Sequence, residues 1–172
     1  MSEWKDGITL RRPTVEDARA MHTLVAESPV LDTNSVYSYL MWCRDFSDTS
    51  VVAQRENGSV IGFVSAYRRP AEENVLFAWQ TATDPEDRVP GLPTAMFSYL
   101  ARRTSAAGVT HLETTVNPGN RAVIMMINKW ATSLSAPVLR NVLFDSADFG
   151  SDHPDEILYR VGPFSHAHEE VA

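Results

Sequence analysis

The segment DPEDRVPGLPTAM, residues 84–96, has the residue types of a phosphate-binding turn at the start of a helix. Such a turn binds a diphosphate through main-chain N–H groups, while glycine allows close approach and the helix dipole favours negative charge. Pro90 and Pro93 have no N–H to donate. The segment therefore predicts either a weakened diphosphate site or an ordinary proline-rich turn.

The donors that remain in this turn decide between the two interpretations. Proline is accepted in the first turn of a helix, where its N–H would have no intrahelical partner, so Pro93 could begin the helix without loss. Losing one charge-assisted hydrogen bond would weaken diphosphate binding by roughly 1.5–3 kcal/mol. The main-chain donors left near the helix start are those of Val89, Gly91, Leu92, Thr94 and Ala95.

Motifs for other reactions are missing from the sequence. It has neither the Gly-x-x-x-x-Gly-Lys-Ser/Thr motif of nucleotide-binding P-loops nor Gly-x-Gly-x-x-Gly. Its 5 histidines lack metal-ligand spacing, so no metal is predicted. Cys43, on an apolar helix face, is predicted to be a buried small hydrophobe. Asp145 and Asp148 are predicted to cap a turn.

Size and charge limit the class of protein. The 172 residues fit one domain spanning 1–172, with a flexible tail at 165–172. A net charge of −7 disfavours nucleic acid as a partner and suits a small cationic ligand. The N-terminal residues lack an apolar signal region, and no apolar run approaches membrane-spanning length. We therefore expect a cytoplasmic protein that binds neither nucleic acid nor a membrane.

Short strands and helices must position this turn. Residues 7–12 predict a first strand, Thr14 is predicted to cap a helix that ends near Ser28, and residues 31–46 have the apolar spacing of a second helix. Asn-Gly within residues 56–58 predicts a β-hairpin. Later strands are predicted at 74–83, 111–116, 136–144 and 156–163, and later helices at 94–107 and 120–134.

Several sequence blocks carry a family resemblance that extends from about Leu10 to Pro163. They are LDTNSVYSYLMWCRDFSDTSVVA, GFVSAYRRP, LFAWQTATDP, HLETTVNPGN, LFDSADFG and HPDEILYRVGP. Together with the order of elements, they resemble the Gcn5-related N-acetyltransferases (GNAT), and among these the diaminobutyrate acetyltransferases of ectoine biosynthesis. The resemblance implies an α/β fold with a mixed, mostly antiparallel twisted sheet and helices on both faces. It also implies acetyl transfer from acetyl-CoA to the γ-amine of L-2,4-diaminobutyrate or a close diamino acid, without a metal.

The resemblance implies roles for five residues around the acceptor amine. Glu156 would act as the catalytic base. Asp32 would bind the α-ammonium, Asn34 and Tyr37 lie in the matching substrate segment, and Trp79 offers an aromatic face to a cation. Each has a structural alternative. Asp32 could be a helix N-cap, Tyr37 and Trp79 could be core or rim aromatics, and Glu156 could be a solvated charge on an edge strand.

The resemblance also implies a CoA site, with departures from the family pattern. Val89 and Pro93 replace small residues of the pattern, and Val123 and Ile127 replace a serine and an aromatic residue, so no hydroxyl remains at either of these last two positions. A main-chain N–H near Thr81–Thr83 would polarise the thioester carbonyl. The residues assigned to CoA binding are Thr81, Thr83, Arg88, Val89, Gly91, Leu92, Thr94 and Asn120.

The departures leave three possibilities open from sequence. One is a diaminobutyrate acetyltransferase with weakened CoA contacts. Another is a diverged, non-catalytic relative that binds an amino acid or serves as a partner subunit. A changed acyl donor or acceptor is a third possibility. Family members commonly dimerise, so a homodimer is expected.

Overall fold

Strands and helices follow one another in the predicted order through the described residues, 2–28, 31–150 and 154–164 of a computed structural model. The elements are β1 (Ser2–Glu3), β2 (Ile8–Arg11), α1 (Ala18–Ala26), α2 (Val36–Asp45), β3 (Val51–Arg55), β4 (Val60–Arg69), β5 (Glu72–Thr83), α3 (Leu92–Ser105), β6 (His111–Val116), α4 (Arg121–Ser133), β7 (Val138–Phe144) and β8 (Glu156–Val161). The predicted tail, 165–172, lies outside these residues. Across the described ranges, no helix is both long and apolar enough to cross a bilayer.

The strands form one mostly antiparallel sheet in the order β1-β2-β3-β4-β5-β6-β8-β7, which confirms the predicted fold class. β1 was not predicted, because its two residues are too few to show a pattern. The first α-helix begins later than predicted, since Val15–Asp17 forms a tighter 3-10 turn. Contacts divide the chain into two compact units, Met1–Tyr67 with Ala78–Arg103 and Arg68–Phe77 with Thr104–Ala172.

The first unit contains α1, α2 and α3 up to Arg103, together with β1 to β3, most of β4 and the second half of β5. Its core joins Met21 of α1 and Tyr39 of α2 to Phe63 of β4 and Ala82 of β5. Tyr39 and Cys43, four residues apart on α2, both belong to this core, so the apolar spacing predicted for the second helix is confirmed at these two positions. The core thereby supports the strand that leads into the proline-rich turn.

The second unit contains the start of β5, β6, β8, β7 and α4. β6 pairs antiparallel with β8, and Glu113 lies opposite Arg160. β7 pairs antiparallel with the other side of β8 and is the last strand of the sheet in the described residues. Trp130 of α4 is fully buried and contacts Phe164 edge to face, with ring centroids 6.0 Å apart.

A buried ion pair joins β2 to the start of α1 in the first unit. Both guanidinium Nη atoms of Arg11 donate to the Asp17 carboxylate at 2.7 Å, and the Thr14 N–H donates to it as well, also at 2.7 Å. Burial by itself would raise the pKa of Asp17, but hydrogen bonds from Arg11 and Thr14 outweigh it, so the pKa lies below its usual value of 3.8. The ionised form of Asp17 is therefore stabilised by folding.

We expect Asp17→Asn to lower the free energy of unfolding by roughly 1.5–3 kcal/mol at pH 7, the value of a hydrogen bond to a charged group. Because the folded-state pKa of Asp17 is depressed, the stabilisation is complete above the unfolded-state pKa and is lost as the pH falls through the folded value. Urea unfolding at a series of pH values should show the two proteins converging below about pH 4. Asp48→Asn, which alters an exposed ion pair to Arg12, is the matched control and should leave stability unchanged. A gap between wild type and Asp17→Asn that persists at low pH would contradict this assignment.

Candidate active site

The proline-rich turn connects β5 to α3 in the first unit. Pro93 is the second residue of α3, so it lies in the first turn, where proline is tolerated. The Leu92 N–H donates to the Val89 carbonyl at 3.1 Å, and the Ala95 N–H donates to the Gly91 carbonyl at 2.9 Å. These two N–H groups, which the sequence had suggested as ligand donors, are therefore used by the turn and the helix themselves.

Three main-chain donors remain at the start of α3. Within the described residues, the N–H groups of Val89, Gly91 and Thr94 make no hydrogen bond to protein. Gly91 has a φ of +86°, which other residues adopt only with strain, and a Cβ added there would meet nothing within 4 Å. Glycine is thus required here by backbone conformation, and the space beside it stays open. The turn can still bind an anion, with fewer donors than an unbroken one.

Charged side chains hold the turn in place. Arg55 of β3 forms two hydrogen bonds to the Asp87 carboxylate, at 2.9 and 2.6 Å, and lowers the pKa of Asp87. Lys5 donates to the Pro90 carbonyl at 2.9 Å. Arg88 is exposed, and its Nε donates to the Pro85 carbonyl at 3.1 Å. The turn is therefore preorganised, and Arg88 presents a positive charge at its surface.

Close packing under the turn depends on Gly62 of β4. A Cβ at this position would lie 3.2 Å from the Ala82 carbonyl, 3.3 Å from the Thr83 methyl and 3.4 Å from a Leu92 methyl. Leu92 is fully buried, so its side chain packs against the sheet and only its backbone belongs to the turn. Thr81 and Thr83 are half-buried on β5, next to the turn.

A buried glutamine links the predicted acceptor residues in the first unit. Gln80 of β5 is only 7% exposed, accepts a hydrogen bond from the Tyr39 hydroxyl at 3.1 Å, and donates to the Asp32 carbonyl at 3.0 Å. The segment before α2 is thereby tied to β5. Asp32 is exposed, and its carboxylate makes no hydrogen bond among the described residues.

The N-terminus of α2 removes one structural alternative for Asp32. Ser35 is the residue at the N-cap of α2, so Asp32 lies outside the helix and does not cap it. Asn34 is half-buried, and Tyr37 on the first turn of α2 is 69% exposed. Tyr37 is therefore not a core residue. These three residues lie within six positions of chain whose path is set by Gln80.

Trp79 stacks on Trp42 of α2, with ring centroids 4.6 Å apart and an interplanar angle of 24°. The side chain of Trp79 is nevertheless 40% exposed, so it is a rim aromatic with accessible surface. Burial alternates along this part of β5, with Trp79 exposed and Gln80 buried. The Gln80 N–H donates to the Ser65 hydroxyl at 3.2 Å.

In the second unit, Glu156 is the half-buried first residue of β8. Ile157 pairs with Val116, the last residue of β6, so Glu156 lies level with the segment that connects β6 to α4. Asn120 ends that segment and is the N-cap of α4, where its side-chain oxygen accepts the Val123 N–H at 3.3 Å. The structure thus brings Glu156 and the segment containing Asn120 to one end of the strand pair, and it gives Asn120 a capping role in the protein.

A buried ion-pair network anchors β8 four residues beyond Glu156. Glu113, whose side chain is 3% exposed, is 3.1 Å from Arg160 and 3.3 Å from Arg69, and both arginines also contact Glu72. The hydrogen bond from Arg160 lowers the pKa of Glu72. Because two arginines compensate two carboxylates, the buried charge of Glu113 is satisfied and β8 is held in register with β6.

Cys43 and Asp145 were assigned from the sequence to packing and capping, and the structure gives them those roles. Cys43 is buried against Met21, and burial raises the pKa of its thiol to about 11, which confirms it as an unreactive hydrophobic residue. Asp145 accepts the Ala147 N–H at 2.9 Å and caps the turn Ser146–Phe149, as predicted. In the ranges that the structure describes, no cluster of three His, Cys, Asp or Glu residues is arranged to hold a metal ion.

Comparisons with known proteins give the family to which the chain belongs. The model of the acetyltransferase (GNAT) family matches residues 16–130. This chain belongs to the GNAT acetyltransferase family. The acetyltransferase is 42% identical to the L-2,4-diaminobutyric acid acetyltransferase of Streptomyces avermitilis over 95% of this chain and 93% of that protein. It is 43% identical to the protein of the same name from Bordetella parapertussis, over 91% of this chain and 85% of that protein.

Solved structures resemble this acetyltransferase over nearly its whole length. Diaminobutyrate acetyltransferase EctA from Paenibacillus lautus, in complex with L-2,4-diaminobutyric acid and coenzyme A, matches with a TM-score of 0.85 and 34% identity, covering 92% of this chain and 96% of that one. Ard1 from Thermoplasma volcanium matches with a TM-score of 0.75 at 15% identity, covering 90% of this chain and 97% of that one. At this low identity, the match shows the fold alone.

Sequence reasoning missed the residues of this acetyltransferase that position others. Gln80 lies in the block LFAWQTATDP, but it has no charge and belongs to no motif that would distinguish it. Gly62, Ser65 and Arg55 act through partners that are distant in the chain. An uncharged amide in a run of apolar strand residues was the one available signal, since a buried amide must be paired.

We expect Gln80→Leu to lower the free energy of unfolding by about 1–3 kcal/mol, because it leaves the Tyr39 hydroxyl and the Asp32 carbonyl without their buried partner. Hydrogen exchange measured by mass spectrometry should also become faster at residues 31–35. Tyr39→Phe is the matched variant. It removes the other hydrogen bond of Gln80 and should leave exchange at residues 31–35 unchanged. Equal exchange in wild type and Gln80→Leu would show that Gln80 does not hold this segment.

Proposed function

We propose that this acetyltransferase transfers an acetyl group from acetyl-CoA to the γ-amine of L-2,4-diaminobutyrate. The observation that carries the proposal is similarity over almost the full chain to proteins named for this reaction, including a solved EctA bound to diaminobutyrate and coenzyme A. The retained acidic and aromatic residues of the first unit support it, because the acceptor has two ammonium groups and needs anionic and aromatic partners.

We assign the acceptor contacts to the segment before α2 and to β5. The unpaired carboxylate of Asp32 binds the α-ammonium, with Asn34 and Tyr37 beside it in the chain. Trp79 offers its exposed indole surface to a cation. Glu156 takes a proton from the γ-ammonium, directly or through water, before the amine attacks the thioester carbonyl. An alkylammonium has a pKa of about 10, so a base is needed at neutral pH.

We assign the CoA diphosphate to the start of α3. The N–H groups of Val89, Gly91 and Thr94 donate to it, Arg88 supplies a positive charge, and the helix dipole adds to both. A main-chain N–H near Thr81–Thr83 polarises the carbonyl of the thioester. Asn120 contacts CoA from the segment before α4. The donor set fits a diphosphate, with fewer N–H groups than a turn without prolines.

The reaction is tested by measuring release of the CoA thiol from acetyl-CoA on addition of diaminobutyrate. We expect Glu156→Gln to lower kcat/KM roughly 10²–10⁴-fold, the usual contribution of a general base, with acetyl-CoA binding unchanged. Asp155→Asn is the matched control, since Asp155 accepts the Ser146 N–H, a bond that asparagine can also accept. Full activity in Glu156→Gln would remove this residue from the mechanism.

The same assay separates the enzyme from the non-catalytic alternative. The reduced donor set at the start of α3 is the observation that favours the alternative. Thermal stabilisation by diaminobutyrate, with neither turnover nor binding of acetyl-CoA, would overturn the proposed reaction and leave an amino-acid-binding protein.

We expect the double substitution Val89→Gly, Pro93→Gly to tighten acetyl-CoA binding roughly tenfold or more, because a new N–H in the first turn of α3 would add one charge-assisted hydrogen bond of about 1.5–3 kcal/mol. Calorimetry measures the dissociation constant. Pro85→Ala is the control, since it adds an N–H in the same connection but away from the helix start. Unchanged affinity in the double variant would show that the diphosphate does not contact this turn.

We infer also that the protein forms a homodimer and acts in the cytoplasm, in ectoine biosynthesis. The dimer is supported by β7, which ends the strand order of the described residues and exposes large apolar side chains. On β7 these are Leu139, Val142, Leu143 and Phe144. An exposed apolar edge strand is a surface that soluble proteins usually cover.

A further inference from the structure

Four aromatic side chains form a cluster at the surface of the first unit: Trp42 of α2, Phe46 directly after α2, Tyr67 of β4 and Trp79 of β5. Trp42 is the centre of this aromatic cluster. It stacks on Trp79 at 4.6 Å, lies 4.8 Å from Phe46, and meets Tyr67 edge to face at 6.3 Å. Trp42 thus covers one face of the Trp79 indole, while 40% of the Trp79 side chain remains exposed.

A fully buried serine sets the orientation of Trp42. The Trp42 Nε1–H donates to the Ser50 hydroxyl oxygen at 3.0 Å, and that oxygen also accepts the Ala66 N–H of β4 at 3.1 Å. The Ser50 carbonyl accepts from Arg103 at 2.7 Å. Because Ser50 is held from three directions and the indole has a single N–H to donate, Trp42 has one favoured orientation.

We propose that Trp42, oriented by Ser50, is a positioning residue that sets the plane of the Trp79 indole and thereby the selectivity for a short diamino acid. The inference rests on the proposed function, in which Trp79 contacts the acceptor. A cation is attracted to the face of an aromatic ring, so the contact depends on where that face points. With Trp42 stacked behind it, the Trp79 ring cannot turn aside to admit a longer chain.

The chemistry of the acceptor makes this constraint useful. Diaminobutyrate and ornithine carry the same charged groups and differ by one methylene, a difference that a binding site discriminates only about 10- to 200-fold. Charge recognition by Asp32 cannot separate them. A ring of fixed plane places its cation-binding face at one distance from the α-ammonium contact, so it favours one spacing of the two nitrogens.

The test compares Trp42→Leu, which removes the stacked ring, with Trp42→Phe, which keeps a ring and removes the hydrogen bond to Ser50. Phe46→Leu is the matched control, because Phe46 contacts Trp42 and Tyr67. Circular dichroism reports the stack directly, since two indoles in contact give an exciton couplet. Steady-state kinetics gives separate KM values for diaminobutyrate and acetyl-CoA, and the ratio of kcat/KM for diaminobutyrate to that for ornithine.

In Trp42→Leu we expect the couplet to vanish and the KM for diaminobutyrate to rise about 3- to 30-fold, the range for losing a cation–π contact. The selectivity over ornithine should fall, and the KM for acetyl-CoA should not change. In KM and selectivity, Trp42→Phe should lie between wild type and Trp42→Leu, and Phe46→Leu should match wild type. If Trp42 had a purely structural role, Trp42→Leu would lower thermal stability without a separate effect on the KM for diaminobutyrate and the KM for acetyl-CoA.

Two outcomes overturn the inference in distinguishable ways. If wild type acetylates diaminobutyrate and Trp42→Leu loses the couplet with unchanged KM and selectivity, the inference is wrong and the proposed function stands. If wild type does not acetylate diaminobutyrate, the proposed function is wrong and the inference falls with it.

Discussion

The side-chain amide of Gln80 is the constraint on which the acceptor side of the first unit depends. A buried amide that lacks hydrogen-bond partners costs about 1–3 kcal/mol, so the chain around it must supply them. Tyr39 supplies a donor from α2, and Asp32 supplies a carbonyl from the segment before α2. One side chain therefore fixes β5, α2 and the acidic segment with respect to one another, and the exposed carboxylate of Asp32 is placed without bonds of its own.

At the start of α3, the folding of the turn competes with ligand binding for the same N–H groups. Leu92 and Ala95 donate to carbonyls of the turn, and the prolines donate nothing, which leaves Val89, Gly91 and Thr94. The ion pair of Arg55 with Asp87 holds these donors in position before a ligand arrives. Preorganisation of this kind offsets part of the loss of donors, because less ordering is required on binding.

The second unit places its carboxylate by a different means. Glu156 begins β8, and the register of β8 against β6 is set by the buried network of Glu113 with Arg69 and Arg160. A shift of one residue would separate Glu113 from Arg160 and leave a buried charge unpaired, which is strongly unfavourable. The position of Glu156 along the strand is thus controlled by charges that lie away from it.

Local patterns in the sequence were enough to predict the order of strands and helices, the start of α3 near Pro93, the buried Cys43 and the cap at Asp145, because apolar spacing and capping depend on residues a few positions apart. The resemblance carried by the longer sequence blocks extended this to the family. The tertiary structure alone decided which N–H groups of the turn remain available, that Ser35 and not Asp32 occupies the N-cap position of α2, and that Trp79 stacks on Trp42. These outcomes depend on contacts between distant residues, such as Gln80 with Asp32, 48 positions apart, for which no short-range pattern exists.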